Sequence, residues 1–471
     1  MASRLSPISS AYLPPRLLAM GLGEFLIIGG CFLLAAVLRL GSDAYFMLNY
    51  QGGFLKIGLI CLVCVLCLYF CDFYDSSVFS NRRELVTRTP NVIGWLSIAL
   101  GILYYFYPPL GVGRGIFILG IFLVAFGLIG YRIAFLRLSQ TLLFAQNTLV
   151  LGDGVFAREL AREIQKRPES GLRLLGLVSE NGLNPGGGPD SGGKPQIVGT
   201  TQQLVPLVSQ HAVLRLIVAM QDRRGKLPVN ELLQLKAQGI AIEDGINVYE
   251  SLSGKIPLVG LTPGWLVFTE GFGVSPLQRM CIRLTSLSLA LIGLVLSGPL
   301  MLLLALLIKL DSPGPVFFRQ ERVGKRGRIF HLLKFRSMRD NAESDTGPVW
   351  AQENDPRVTR VGGFMRKWRL DELPQFFNIL RGEMNLVGPR PERLCFVEQL
   401  SQKIPFYGYR HMVRPGITGW AQVKYRYADT ELSQMEKLQY DLFYCKHRSV
   451  GLDLLIAFHT AKIVLSGRGA R

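Results

Sequence analysis

Four apolar runs fill the first third of the chain, at 17–40, 54–70, 91–107 and 116–136. Each has about the 17 to 25 residues that a helix needs to cross the hydrocarbon core of a bilayer, where a segment must satisfy its own backbone hydrogen bonds. They predict four spanning helices in an integral-membrane α-helical bundle over residues 1–140. No short apolar region followed by an Ala-x-Ala cleavage site opens the chain, so the first run reads as a retained anchor. Flanking charge sets the orientation. Arg4 and Arg16 precede the first run, Arg82, Arg83 and Arg88 lie between the second and third, and Arg132 and Arg137 end the fourth. Because positive residues stay inside, the N-terminus and everything after residue 137 are expected in the cytoplasm. Arg39, Lys56 and Arg114 fall on the opposite side and dilute this signal without reversing it.

At 471 residues the chain exceeds one ordinary core, since domains run to about 100 to 200 residues. A mean hydropathy of +0.28 is high for a soluble protein. Cys61, Cys64, Cys67 and Cys71 have the C-x2-C-x2-C-x3-C spacing of an iron–sulfur run. Leu, Val and Phe fill the gaps inside an expected span, and Asp72 stands where the cluster pattern has proline, so a stripe of small residues for helix packing is the better reading.

Between residues 146 and 268 short apolar strands alternate with helical stretches, which predicts an α/β Rossmann-like domain with a parallel sheet. Gly152, Gly154 and Ala157 form G-x-G-x-x-A at its first strand-to-helix turn. Such a turn either admits a pyrophosphate or meets a packing need for small residues. Asp153 places negative charge where a phosphate would sit, Glu180 is a ribose partner only on the first reading, and both readings stand. The glycine-rich run 182–195 reads as a surface loop.

A fifth apolar run, 282–310, carries Ser297, Gly298 and Pro299 at its middle. A straight helix of that length reaches about 42 Å, beyond a core of about 30 Å, while each half alone falls short of crossing. Proline favours a kink, so Ser297 and Pro299 are the expected break of a re-entrant hairpin over 280–310. Arg279, Arg283 and Lys309 would then share one headgroup layer. The alternative is a fifth, kinked span.

Residues 309–471 hold 28 Lys and Arg against 17 Asp and Glu. This surface attracts phosphates on lipids or nucleotides; no nucleic-acid-binding module is present, so no nucleic-acid partner is expected. Within it, WRLDELPQ sets Asp371 and Glu372 behind Arg366, Lys367 and Arg369. Pro374 suits the first turn of a helix ending before Gly382, which puts both acids near a helix start. The neighbouring cations are expected to hold the Asp371 pKa down. Taken alone, the pair also fits a helix cap with a surface acid beside it, contributing about 1 kcal/mol.

The strings GPVFFRQERVGKRGRIFHLLKFRSMR (314–339), DPRVTRVGGFMRKWRLDELPQFFNILRGEMNLVGPRPE (355–392) and VRPGITGWAQV (413–423) resemble the bacterial sugar transferases, the monotopic polyprenyl-phosphate phosphoglycosyl transferases. Four spans followed by a degenerate Rossmann-like domain resemble the large members of that family, which move hexose-1-phosphate to start exopolysaccharide or O-antigen units. The resemblance implies a mostly α-helical catalytic domain over 275–471 on the cytoplasmic side of a bacterial inner membrane. It implies that Asp371 attacks the sugar-bearing phosphate of a UDP-hexose and releases UMP, and that undecaprenyl phosphate then takes the phospho-sugar. It carries Mg²⁺ to Glu372. Arg390 is the foremost phosphate contact, because a planar guanidinium binds phosphate oxygens in pairs. Lys334, Arg336, Arg357, Arg366, Arg369 and Arg414 are further candidates for diphosphate, uridine or lipid headgroup. His331, His411, His447 and His459 are too dispersed for a metal site. The bundle and middle domain offer surface for a homodimer.

Two other classes compete with this reading. A membrane-anchored dinucleotide sensor would use G-x-G-x-x-A and leave the acids idle. A glycosidase fails on geometry, since adjacent carboxylates rarely face each other across a sugar at the required roughly 5 to 9.5 Å.

Overall fold

The computed structural model describes residues 15–71, 73–74, 82–139, 146–167, 170–180, 195–339, 357–425 and 431–465. The chain divides into two compact units, Met1–Ser253 and Gly254–Arg471.

The first unit opens with helices α1 (Pro15–Leu40), α2 (Ala44–Tyr50), α3 (Gly53–Phe70), α4 (Arg82–Phe106) and α5 (Arg114–Ser139). Four stretches here and one in the second unit are long and apolar enough to cross a membrane. The third expected span starts earlier than 91, because the helix runs through Pro90. α1 and α5 meet along small residues: Gly120 seats the Phe32 ring and Gly127 faces the Cys31 thiol, the close approach that lipid-embedded helices rely on. Cys61, Cys64 and Cys67 are buried in the bundle core, as free thiols. One buried ion pair crosses this core. Arg132 donates to Glu24 over 2.6 Å and to the Phe73 carbonyl over 2.7 Å, while the Tyr74 hydroxyl donates to the other Glu24 oxygen at 2.6 Å. An ionisable group in lipid is tolerated when so satisfied.

The α/β part holds a five-stranded parallel sheet in the order β3-β2-β1-β4-β5. Its strands are β1 (Gln146–Leu151), β2 (Leu172–Ser179), β3 (Ile197–Thr200), β4 (Arg215–Val218) and β5 (Ala241–Asp244), with helix α6 (Val155–Lys166) after the first, α7 (Leu204–Gln210) after the third, α8 (Val229–Ala237) after the fourth and α9 (Gly245–Ser253) after the fifth. The Gly-rich turn between β1 and α6 is shaped by packing. At Gly152, where φ is +127°, a Cβ would lie 2.9 Å from the Ala219 carbonyl, and Asp153 spends its carboxylate accepting from the Ser179 hydroxyl at 2.7 Å. Burial, then Asp153, pushes the Glu180 carboxyl up, and Asp222 adds to this. Acids therefore collect where a dinucleotide's phosphates would lie, which favours the packing reading of the motif. The run 182–195 lies outside the described residues except for Pro195.

The second unit is built on α11 (Pro276–Asp311), preceded by the short α10 (Pro263–Phe268). Pro299 lies inside α11, which is one helical element rather than two, and the Ser297 hydroxyl donates to the Gly293 carbonyl one turn back. One face of α11 is packed and the opposite face, including Val295, Leu296, Leu302 and Leu310, is 68–77% exposed. The packed face meets two apolar clusters. Ala290 joins Phe330, Leu332, Ile379 and Met384; Met301, Leu304 and Ile308 join Phe335 and Met365. The remainder is helical apart from two small sheets. β6 (Phe317–Val323) and β7 (Ile329–Phe335) form an antiparallel hairpin, and β8 (Asn385–Val387) pairs in parallel with β9 (Gly416–Thr418). Helices α12 (Arg360–Lys367), α13 (Gln375–Arg381), α14 (Leu394–Lys403), α15 (Trp420–Lys424), α16 (Glu431–His447) and α17 (Val450–Leu465) complete it.

Candidate active site

Asp371 and Glu372 sit on the single 3₁₀ turn Leu370–Glu372 that links α12 to α13. Arg369 enters it with φ at +53°, a left-handed conformation that costs a non-glycine residue on the order of 1 to 3 kcal/mol and recurs at functional sites. Pro374 caps the following helix and Gly382 ends it at φ +86°, so the acids do lie at a helix start. Asn378 anchors that helix. Fully buried, it accepts from the Leu333 amide at 3.0 Å and donates to the His331 carbonyl at 2.7 Å and to Glu383 at 2.6 Å. This clamp fixes β7 against α13 and so brings Lys334 to the acids.

Both acids are buried, their side chains 12% and 10% exposed. Lys334 Nζ lies 3.8 Å from Asp371 Oδ2 and 3.4 Å from Glu372 Oε1, and Arg390 Nη2 donates to the same Glu372 oxygen at 3.0 Å. The two acids differ sharply as a result. Burial pushes the Glu372 carboxyl up, but Arg390, Lys334 and Arg369 outweigh it and hold the group at about 2. On Asp371 burial wins, aided by the Glu372 charge, and its carboxyl is raised above the ordinary value against the pull of Lys334, Arg390 and Arg366. Sequence proximity pointed the other way. Of the adjacent cations Arg366 opposes the rise at Asp371 behind Lys334 and Arg390, Arg369 acts on Glu372, and Lys367 is exposed. The charges that count come from β7 and from the loop after β8. Lys334 is itself pushed down by burial and by Arg390, and pulled up by the two carboxylates.

The loop carrying Arg390 is held from three sides. Arg410 donates to the Arg390 carbonyl at 3.0 Å and is paired with Asp441 at 2.8 Å, both side chains being 2% exposed. Arg322 donates to the Pro391 carbonyl at 3.2 Å. Glu392 accepts from Lys437 at 2.6 Å through its carboxylate and from the Val323 amide at 2.9 Å through its carbonyl. Asn378, Arg410, Asp441 and Lys437 carried no local signal in the sequence, since the contacts by which they hold the site reach residues 20 or more positions away.

The other expected contacts are not gathered here. Arg336 donates to the Ser312 and Pro313 carbonyls and holds the turn after α11. Arg414 acts on Lys325, whose ammonium is pushed down by burial and then by the Arg414 charge. Arg357 joins the pairing of 357–358 with 338–339, its carbonyl accepting from the Arg339 amide at 2.9 Å. Ser297 and Pro299 lie in α11. Among the histidines, burial and Arg410 press His411 down to about 4, so its ring is neutral.

Among the described residues no three metal-ligating side chains converge. Glu372 Oε1 is already engaged by two cations, which leaves one edge of each carboxylate. That fits a Mg²⁺ ion drawing most of its ligands from water and substrate phosphates, as this ion commonly does, rather than an all-protein cage.

Residues 277–467 match the model of the bacterial sugar transferase family, and residues 69–236 match one described as a CoA-binding domain. The UDP-N-acetylgalactosamine-undecaprenyl-phosphate N-acetylgalactosaminephosphotransferase of Aeromonas hydrophila is 52% identical over 48% of this chain and 52% of its own length. The UDP-glucose:undecaprenyl-phosphate glucose-1-phosphate transferase of Escherichia coli (strain K12) is 36% identical over 66% of each chain. The exopolysaccharide production protein PSS of Rhizobium leguminosarum bv. phaseoli is 39% identical over 38% of this chain and 93% of its own length. The chain thus spans roughly half to two thirds of the first two relatives, and nearly all of the third. With the dyad motif and its basic loop inside the matched residues 277–467, and with relatives such as the Rhizobium protein covered over nearly their whole length, this chain belongs to the bacterial sugar transferase family.

Proposed function

We propose that the chain transfers hexose-1-phosphate from a UDP-hexose to undecaprenyl phosphate at the cytoplasmic face of a bacterial inner membrane, as the first membrane step of an exopolysaccharide or O-antigen. One observation carries this reading: of two adjacent buried carboxylates, Glu372 is locked as an anion by Arg390 and Lys334, while Asp371 is left with a raised pKa. A raised pKa makes an ionised carboxylate a stronger base and nucleophile, and Lys334 at 3.8 Å favours the ionised form.

Asp371 Oδ attacks the sugar-bearing phosphorus, the bond to the UMP oxygen breaks, and UMP leaves with that electron pair. An oxygen of undecaprenyl phosphate then attacks the same phosphorus. The aspartyl–phosphorus bond breaks, Asp371 returns as a carboxylate, and the sugar leaves on a diphosphate. Arg390 and Lys334 bind and orient the phosphates, with Arg366 and Arg369 adding positive potential at the turn; phosphoryl transfer depends chiefly on such positioning and charge. Glu372 would hold Mg²⁺, which when bound supplies charge neutralisation for the diphosphate. Arg336, Arg357 and Arg414 serve the scaffold or the lipid face in this reading.

A re-entrant α11 follows from its polar ties. Near one end Arg283 donates to the Ile379 and Met384 carbonyls; at the other, Asp311 accepts from the Val361 amide. A helix whose two ends are both bound to one polar unit, with no second long apolar helix among the described residues of that unit, is better served by entering and leaving the same leaflet than by crossing.

The relatives' names differ in the sugar, so the donor is read by experiment. Membranes holding the chain, supplied with undecaprenyl phosphate and a panel of UDP-sugars, are expected to release UMP with one or two donors, and Asp371→Asn to lose several orders of magnitude in rate. UMP release that survives in Asp371→Asn would defeat the assignment.

A further inference from the structure

The three cations that run against the inside-positive pattern gather at one place. Arg39 ends α1, Lys56 opens α3 and Arg114 opens α5, and a cavity of about 540 Å³ is lined by Arg39 and Lys56. Its polar lining includes Arg39, Lys56, Gln51 and a single acid, Asp43; its apolar lining includes Phe46 and Ile116. Arg114 stands between two further lining residues, Gly113 and Gly115. Gly115 has a stereochemical reason to be there, since a Cβ would sit 2.7 Å from Arg39 Nε. None of the three cations has a carboxylate within ion-pair distance among the described residues.

Depth is set by two observations. α5 runs 26 residues from Arg114 before the chain reaches the sheet, about 39 Å of helix, so the cavity lies across the hydrocarbon core from the α/β domain. Tyr50 ends α2 and Tyr105 lies in the last turn of α4, 71% and 81% exposed, as aromatics are at a bilayer–water interface. Three cations at that interface carry a cost in topology that a ligand would offset. An apolar wall beside cations, open at headgroup depth, is the complement of an amphiphile with a phosphate head.

We propose that this cavity seats the phosphate of an anionic lipid in the leaflet opposite the α/β domain, with Arg39, Lys56 and Arg114 as its cations and Phe46 and Ile116 against the first carbons of its chains. The site is independent of the transferase chemistry.

The test uses the full chain in phosphatidylcholine nanodiscs titrated with phosphatidylglycerol, reading lipid retained per chain by native mass spectrometry. The Arg39→Gln, Lys56→Gln, Arg114→Gln triple variant is expected to lose one tightly held phosphatidylglycerol, with affinity reduced on the order of a hundredfold at roughly one kcal/mol per basic residue. Asp43→Asn is expected to bind it more tightly. Comparing variants cancels lipid held by the basic second unit. Equal retention in wild type and triple variant overturns the proposal. So does displacement of phosphatidylglycerol by inorganic phosphate at matched concentration, which would mark a free-anion site. Should the triple variant fail to fold, Asp43→Asn decides alone: tighter binding supports the site and unchanged binding overturns it.

Discussion

Arg390→Gln separates the two carboxylates' roles. Glu372 is held at about 2 against an ordinary 4.5, a difference worth about 3 kcal/mol. Arg390 is the largest charge opposing burial in that balance, and its side chain is 37% exposed. Solvent screens part of its effect, which leaves about 1 to 2 kcal/mol as its direct share. Without it Glu372 rises, and Asp371, already raised by burial, loses a cation and rises further. The sign follows: the attacking form of Asp371 is its base, so UMP release increases as pH rises through that pKa, and the variant's acid limb moves to higher pH, by on the order of one unit. The plateau also falls, about tenfold to a hundredfold, because a phosphate contact is gone. Single-turnover UMP release across roughly pH 5 to 9 measures both quantities. Arg390→Lys should return the limb toward its wild-type position while leaving the plateau low, since lysine restores charge but not the planar fork. A limb at the same pH in wild type and Arg390→Gln would refute the electrostatic account.

Arg410→Gln and Asp441→Asn should act through the Arg390 loop. Breaking one side of a pair this buried costs about 3 to 5 kcal/mol, and the diagnostic is a donor KM that rises with the acid limb displaced as in Arg390→Gln; lost stability with an unchanged limb would assign the pair to the scaffold alone. Asp453 accepts from the Tyr444 hydroxyl at 2.8 Å, and burial lifts its carboxyl from 3.8 to about 7. A carboxyl that binds its proton more tightly when folded stabilises the fold at low pH and loses that benefit as pH rises from about 4 through 7. Asp453→Asn should therefore raise the unfolding temperature more at pH 8 than at pH 6, with an upper bound of about 4 kcal/mol; a gain independent of pH would contradict this.

The fold was legible where one periodicity dominates. Apolar runs as long as 116–136 leave no alternative to a helix in lipid, and TLVLG followed by an amphipathic stretch leaves little besides a strand and crossover. The β6–β7 hairpin was less visible, because FFRQERV is mostly exposed and lacks a clean alternation. At the site the sequence supplied Asp371, Glu372, Lys334 and Arg390, whose residue types carry their chemistry. It misassigned the electrostatics, since adjacency in WRLDELPQ says nothing of which cation points at which oxygen. It could not supply Asn378 or the Arg410–Asp441 pair, whose roles exist only once β7, α13 and α16 meet. Ser297 and Pro299 lie inside one helical element, where proline removes one hydrogen bond of the ladder and admits the kink that the proposed re-entrant path needs.

Intact-mass analysis of the wild-type chain, mixed with its UDP-sugar donor in the absence of acceptor lipid, reaches the central claim most directly. A mass increase of one hexose-phosphate, located to Asp371, absent from Asp371→Asn and discharged on adding undecaprenyl phosphate, is the expected result. Steady turnover in an enzyme that never carries such an adduct would contradict it.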